Sequence, residues 1–526
     1  MKVLVSDNLS PLGVEKLKAE DGIHVDVNVG LSREALIEII PSYDGLVVRS
    51  ATKVTADVIQ AAKRLKVVGR AGIGVDNIDL DAAGKQGIIV MNAPEGNLIT
   101  TAEHAVALML SMARNIPQAN ASLKSGQWAP KKFMGVELYG KTLGIIGLGR
   151  IGSVVAQRAK AFAMKILVYD PFISREHAEK VGVDVVELDG LLARSDFISL
   201  HAPATPDGPL LGKAAFDKMK PGIRIINCAR GALIDHAALI EAIRNKKVAQ
   251  AALDVYEKEP LPADSPLLQM DEIISTPHLG ASTGEAQDKV ALIISEQIID
   301  YLKHEEVRNA VNMPSIDGEL LAKIRPYLAL GENMGKLISQ LIGGAINSVR
   351  IQYNGEVANL NVAPISITIL KGLFSQTIDG VNMVNAPYIA KERGIEVQES
   401  KSNEIRDYTS TVQVRVTTDN GGRGIDGTLS AKQTPRIIKI DEYNFEATFS
   451  KYMLVLTNND KPGVIGKVGN ILGENKLNIA GFHLGRLDEQ GGKAVAVINI
   501  DSAPTAKALE ELRSTENITQ VFSVTL

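Results

Sequence analysis

Up to about residue 90, short β-branched runs at residues 3–5, 46–48, 67–69 and 88–90 alternate with helical stretches such as residues 32–40. Apolar runs of this length bounded by turn residues predict buried strands, and their alternation with helices predicts a parallel sheet covered by helices. Residues 100–114 then predict a helix that opens on threonine, places Glu103 in its first turn and repeats apolar positions at Ala105, Leu108, Met109 and Met112. This helix connects two series of strands. The second series starts at Thr142 and recurs at residues 165–169, 197–200, 224–227, 249–254 and 273–276. Six strands alternating with helices predict one doubly wound nucleotide domain.

Residues 285–302 read as a long amphipathic helix, and residues 313–319, with Pro314 and Gly318, as a linker. Beyond it, residues 319–342 predict a helix, while alternation at residues 346–353, 411–416 and 437–449 predicts strands. The last stretch, residues 452–526, reads strand, helix, strand, strand, helix, strand, with Pro462 and Gly463 opening its first helix. That order is the βαββαβ pattern of a ferredoxin-like module.

Composition narrows the class. At 526 residues the chain is long enough for roughly three to four domains. Its formal net charge of −4 lacks the basic footprint of a nucleic-acid binder. The single cysteine, Cys228, excludes an intramolecular disulfide and a cysteine metal cluster, and points to a reducing compartment. The opening residues turn polar at Ser6, and no later apolar run approaches the ~18 residues of a membrane helix. A soluble, cytoplasmic protein is expected, with no membrane or nucleic-acid partner and no metal.

The strand beginning at Thr142 runs directly into Gly147-Leu148-Gly149-Arg150-Ile151-Gly152. In that context Gly147 permits a tight turn, Gly149 lets the backbone approach a pyrophosphate, and Gly152 lets the following helix pack on the strand. The helix N-terminus offers free N–H groups to the diphosphate. Asp170 follows the next strand, 21 residues after Gly149, where a carboxylate accepts hydrogen bonds from an adenosine ribose and repels a 2′-phosphate. NAD is therefore expected over NADP.

Three polar signals follow at strand ends: Asn227-Cys228-Ala229-Arg230-Gly231, the stretch from Asp254 to Pro260, and Thr276-Pro277-His278-Leu279-Gly280. Together with the glycine turn they resemble the D-isomer-specific 2-hydroxyacid dehydrogenase family over roughly residues 1–310. The resemblance implies a catalytic trio of Arg230, Glu259 and His278. An imidazole with a reference pKa near ~6.5 suits removal of a hydroxyl proton, a carboxylate orients it, and an arginine fork holds the substrate carboxylate and reacting oxygen. It also implies cofactor contacts at Gly147, Gly149, Arg150, Ile151, Gly152, Asp170, Ala202, Cys228, Ala229, Arg230, Asp254, His278, Gly280, Ala281 and Ile73. The Cys228 thiol reads as a small buried filler.

On the substrate side, Arg49-Ser50 and Arg70-Ala71-Gly72-Ile73-Gly74 each place an arginine beside a strand-end turn. Arg49 and Arg70 suit a dianionic phosphate, and the backbone from Gly72 to Gly74 suits a carboxylate. Within the family, the resemblance adds Asn97 as a substrate-side residue of members acting on a phosphorylated hydroxy acid. Some members place a further arginine just after the tryptophan that here is Trp128; this chain has Lys131 and Lys132 instead, as substitutes from its own or a partner subunit. Residues 452–526 resemble the ACT domain, an amino-acid-binding module, with Asn458, Asp460 and Asn478 as effector residues. Residues 319–451 match the additional domain of the family's long members.

The expected fold class is therefore α/β. A Rossmann-like doubly wound NAD-binding domain (99–284) is set into a discontinuous flavodoxin-like substrate domain (1–98 and 285–312). An α+β intervening domain (319–451) and a ferredoxin-like ACT domain (452–526) follow. The resemblance implies NAD-dependent oxidation of 3-phospho-D-glycerate to 3-phosphohydroxypyruvate, which opens L-serine biosynthesis, with serine feedback at the ACT module and a homo-oligomeric assembly. Two other readings stand beside it: a glyoxylate or hydroxypyruvate reductase, and an NAD-sensing corepressor-like binding protein.

Overall fold

The computed structural model describes residues 1–205, 207–314, 318–405, 407–487 and 492–526, the side chains of 175, 177 and 318–321 excepted. The first sheet is parallel, in the spatial order His24–Val27, Lys2–Val5, Gly45–Val48, Val67–Arg70, Ile89–Asn92. That 2-1-3-4-5 order is flavodoxin-like. The strand His24–Val27 is absent from the sequence-based count because it is a sheet edge, with His24 and Val27 exposed, and so carries no apolar run. Helix Gly284–His304 returns to close this unit. Thr283 caps it by accepting from the Ala286 amide, and Ile294 and Ile298 enter one core with Val3, Val5, Val47 and Val67. Gly69 makes room for it: a Cβ there would lie 2.6 Å from Ile298 Cδ1.

The second sheet has seven parallel strands in the order Ile273–Ser275, Val248–Leu253, Ile223–Asn227, Phe197–Leu200, Thr142–Ile146, Lys165–Tyr169, Asp184–Val185. The six strands expected from sequence become seven. The extra one is a pair of exposed residues, too short to leave a hydrophobic pattern. Strand order reverses between Thr142–Ile146 and Phe197–Leu200, and the crevice outside the carboxyl ends at such a reversal is where doubly wound sheets bind ligands. Helix Leu98–Ala113 starts two residues before the expected threonine. It buries Ala102, Ala105, Met109 and Met112 in one core with Val155 and Ala156 of helix Arg150–Ala161.

The long helix Gly318–Leu341 follows, running through Pro326. The helix expected from residue 319 thus starts one residue earlier, taking Gly318 from the linker expected over 313–319, and residues 315–317 lie outside the described residues. The third sheet runs Glu396–Ser402, Ile346–Gly355, Ser410–Thr418, Gly421–Leu429, Pro435–Ile440, Tyr443–Thr448. The alternation at residues 437–449 is two antiparallel strands, not one. They turn at Asp441, which adopts φ 52°, and the apolar positions change phase across it, from Ile438 and Ile440 to Tyr443, Phe445 and Ala447. The C-terminal strands are ordered Ile479–Arg486, Lys493–Ile500, Tyr452–Asn459, Ile518–Thr525, all antiparallel, as a ferredoxin-like βαββαβ unit requires. One face packs on helices Val464–Glu474 and Ala506–Ser514, while Met453, Val455, Val497 and Val524 on the other enter the core of the preceding unit. Among the described residues no helix is long and apolar enough to cross a membrane.

Candidate active site

The glycine turn sits at the strand reversal. Gly147, at φ 92°, follows strand Thr142–Ile146, and a Cβ on it would lie 2.7 Å from the His201 carbonyl oxygen, beside Ala202. A Cβ on Gly152 would lie 2.1 Å from the Gly147 oxygen, so helix Arg150–Ala161 can rest on the strand only with glycine there. Around Gly149 a Cβ would meet nothing within 4 Å. The backbone is thus open to a ligand where the helix presents the amides of Arg150 and Ile151. Asp170 is fixed at the mouth: Oδ2 accepts from the Leu148 amide at 2.8 Å and Oδ1 from the Phe172 amide at 2.9 Å. Each oxygen keeps a lone pair for a ribose hydroxyl. These residues fit an NAD dinucleotide.

Strand Ile223–Asn227 delivers the next group. Asn227 locks the turn by donating to the Arg230 carbonyl at 2.8 Å and accepting from the Ala229 amide at 3.0 Å. Arg230 reaches toward the first unit: Nε lies 3.0 Å from Asp76, and a Cβ on Gly74 would lie 2.1 Å from Nη2. The neighbouring Gly231 lies against the backbone of Tyr256 and Glu257, where a Cβ would clash at 1.9 Å. That loop carries Glu259. Its Oε1 accepts from the Tyr256 amide at 3.0 Å, and its Oε2 is 2.7 Å from Nδ1 of His278. His278 stands at φ 54°, its amide donating to the Asp254 carbonyl at 3.0 Å.

Asp254 is 1% exposed. Its Oδ1 accepts from the Thr276 hydroxyl at 2.6 Å and the Leu279 amide at 2.7 Å, with His104 Nε2 at 3.2 Å, and its Oδ2 accepts from the Gly280 amide at 2.8 Å. Burial pushes this carboxyl up, but the bonds from His104, Thr276 and Leu279 outweigh it and hold the pKa below the ordinary value. Burial, then Asp254, pushes the Cys228 thiol up. The ligating atoms of His104, Cys228 and Asp254 all lie within 4.8 Å of one another. A protonated thiol beside a carboxylate already filled with donors does not suit a metal ion. Half-buried Ala281 continues the segment after Gly280.

Opposite stand the arginines of the first unit. Arg49 follows strand Gly45–Val48, its amide donating to Asp7 at 2.6 Å and Nη1 to the Asn8 carbonyl at 3.0 Å, with Ser50 exposed next to it. Arg70 ends strand Val67–Arg70. Burial, then the nearby Arg230 and Arg49, push its pKa down to about 10, and its Nε has no hydrogen-bond partner. A Cβ on Gly72 would lie 1.4 Å from Arg70 Nη1, so glycine is what lets this guanidinium lie across the turn. The Ile73 carbonyl accepts from Asn92 at 2.6 Å. Asn97 is buried at the head of helix Leu98–Ala113 with its Oδ1 unpartnered. The fold therefore gathers Arg49, Arg70 and Arg230; Lys131 and Lys132 lie in turn Pro130–Phe133, where the Lys132 ammonium stands 5.8 Å over the Phe133 ring. Sequence reasoning missed His104, Thr101 and Asp76, whose partners are remote in the chain.

The three expected effector residues do not meet within one chain. Asn458 and Asp460 line a groove of about 520 Å³ with Lys461, Pro462, Gly463 and Arg486, and Asp460 pairs with Arg486 at 3.3 Å. Asn478 donates to Asp501 at 2.6 Å at the opposite end of the sheet, because Ile479 pairs with Ile500 whereas Asn458 pairs with Ala494. Strand geometry makes that separation roughly 20 Å.

A nucleotide turn, an imidazole–carboxylate pair and a facing group of arginines across two parallel-sheet units define an NAD-dependent dehydrogenase of D-2-hydroxy acids. Residues 106–280 match the family described as D-isomer specific 2-hydroxyacid dehydrogenase, NAD binding domain. Residues 323–441 match the D-3-phosphoglycerate dehydrogenase intervening domain and residues 452–517 the ACT domain. Among solved structures, a glyoxylate reductase from Paecilomyes thermophila superimposes with a TM-score of 0.55 at 31% identity, covering 59% of this chain and 98% of that one. The chain belongs to the D-3-phosphoglycerate dehydrogenase family: a relative so named from Archaeoglobus fulgidus is 48% identical over 100% of both chains, and one from Bacillus subtilis is 44% identical over 100% of this chain and 99% of its own.

Proposed function

We propose that this protein oxidises 3-phospho-D-glycerate to 3-phosphohydroxypyruvate with NAD, the step that opens L-serine biosynthesis. The observation that carries the reading is the gathering of Arg49, Arg70 and Arg230, whose mutual repulsion a phosphorylated carboxylate relieves. The names of relatives matching the whole chain support it.

Gly149, the amides of Arg150 and Ile151, and Asp170 hold the dinucleotide, with Ala202, Asp254, Gly280 and Ala281 toward its other end. When bound, NAD supplies the acceptor for the hydrogen leaving the substrate carbon as hydride. His278 takes the hydroxyl proton at Nε2, because Nδ1 is engaged by Glu259. Glu259 fixes the ring and favours the imidazolium that results. Arg230 and the Gly72–Ile73 backbone hold the reacting oxygen and the carboxylate, and Arg49 and Arg70, with Ser50 and Asn97, hold the phosphorylated end.

The reading includes a cytoplasmic enzyme regulated by L-serine and assembled as a homo-oligomer. Ile116, Leu123, Trp128, Met134 and Tyr139, all large, apolar and exposed between residues 116 and 139, support self-association. An amino acid touching both Asp460 and Asn478 must lie between two copies, since one chain holds them too far apart. Initial rates with NAD over phosphorylated and unphosphorylated hydroxy acids, repeated with serine, test the whole. Activity on 3-phospho-D-glycerate that serine lowers is expected; selective turnover of an unphosphorylated acid overturns the assignment.

A further inference from the structure

Helix Leu98–Ala113 grips the segment that carries His278 at both of its ends. At one end His104 Nε2 lies 3.3 Å from Thr276 Oγ1 and 3.2 Å from Asp254 Oδ1. At the other, the Thr101 hydroxyl lies 3.0 Å from the Gly280 carbonyl and 2.9 Å from that of Asn97, and shares its one hydrogen between them. Residues three apart share a helix face, so both grips come from one side of one helix. The Thr276 hydroxyl gives its proton to Asp254 at 2.6 Å, and an ionised carboxylate has none to give. His104 Nε2 therefore carries the hydrogen and donates to both oxygens.

Asp254 in turn receives the amides of Leu279 and Gly280, and its own carbonyl receives the His278 amide. The backbone hydrogen bonds of residues 278–280 that leave the segment 276–282 thus run to Asp254 or Thr101. His104 occupies the remaining approach to Oδ1, with its side chain 19% exposed. The helix also begins immediately after Asn97, so it joins the substrate side of the cleft to the loop that bears the proton acceptor.

We propose that His104 is a positioning residue for the oxidation: through Asp254 and Thr276 it clamps residues 276–280 and so sets the place of His278. It touches neither substrate nor the reacting atoms. The inference rests on the reading of His278 as the proton acceptor, and its test separates the two.

The full chain is compared with H104L, which removes the donor at similar volume, and H104Q, which keeps an N–H donor. In cofactor-free protein, H104L is expected to speed hydrogen exchange at the Leu279 and Gly280 amides roughly ten-fold, the scale of one lost charge-assisted hydrogen bond. With 3-phospho-D-glycerate and NAD, kcat is expected to fall by a similar factor while KM for the hydroxy acid moves less than about two-fold. H104Q is expected to recover most of both losses. Should H104L fail to fold, Thr276→Val, which removes the other member of the clamp, is expected to give the same pair of effects. Unchanged exchange in H104L, or H104Q as impaired as H104L, overturns the clamp. A wild-type chain inactive on every phosphorylated hydroxy acid overturns the functional reading instead, and the exchange data still decide the clamp.

Discussion

Glu259 holds one hydrogen bond on each oxygen, from the Tyr256 amide and from His278, so the imidazole cannot turn without breaking a charge-assisted contact. This fixes which ring nitrogen is left to act. Replacing His278 by Ala is expected to lower turnover by ~10²–10⁴-fold, the usual contribution of a general base. Initial rates check it, and near-normal turnover would remove the assignment. The residues of this pair were legible because each lies within a short strand-end motif. His104 was not: its partner Asp254 is 150 positions away, and only the fold brings the two within 3.2 Å. Asp76, which meets Arg230 across an even longer stretch of chain, was hidden for the same reason. Asn478 shows the converse limit. Its motif position suggested a shared site with Asp460, and strand register separates them.

The strand, glycine turn and helix at residues 142–161 act as one element in which Gly147, Gly149 and Gly152 answer different demands. Gly149→Val adds atoms where a Cβ meets nothing within 4 Å, so the fold should keep its thermal midpoint while NADH affinity falls, read by fluorescence titration. Gly152→Val must move backbone, because its Cβ would lie 2.1 Å from the Gly147 oxygen, and should destabilise the protein by about 3 kcal/mol in denaturant titrations. Equal loss of stability in both variants would contradict this division. Elements with a buried face were readable from their apolar runs. The strands that escaped notice are edges or glycine-rich: His24–Val27, Asp184–Val185, Glu396–Ser402, with its mostly exposed residues, and Gly421–Leu429. Hydrophobic patterning reports burial rather than hydrogen bonding, so strands without an apolar face leave no trace in it.

At the scale of the whole molecule, the proposed function lets a chain of net charge −4 bind anions through a few converging arginines and helix N-termini instead of a basic surface. The C-terminal half is joined to the catalytic half through small contacts. Asn382 donates to the Gly87 carbonyl at 2.8 Å, Val384 enters the core of the first unit, and the Tyr388 ring fills the space a Cβ on Gly84 would take. No local motif announced this docking: glycine at position 84 is explained by the Tyr388 ring packed on it, while Gly87 is already accounted for by its φ of 75° at the end of helix Leu80–Gln86. The central claim is that the arginine group selects a phosphorylated hydroxy acid. Its most direct test is kcat/KM for 3-phospho-D-glycerate against D-glycerate with NAD, in the wild-type chain and in Arg70→Leu. The account predicts a preference of at least about a hundred-fold, in line with charge-assisted contacts to a phosphate, that collapses by roughly ten-fold or more in the variant. Comparable values for the two substrates in the wild-type chain would contradict it.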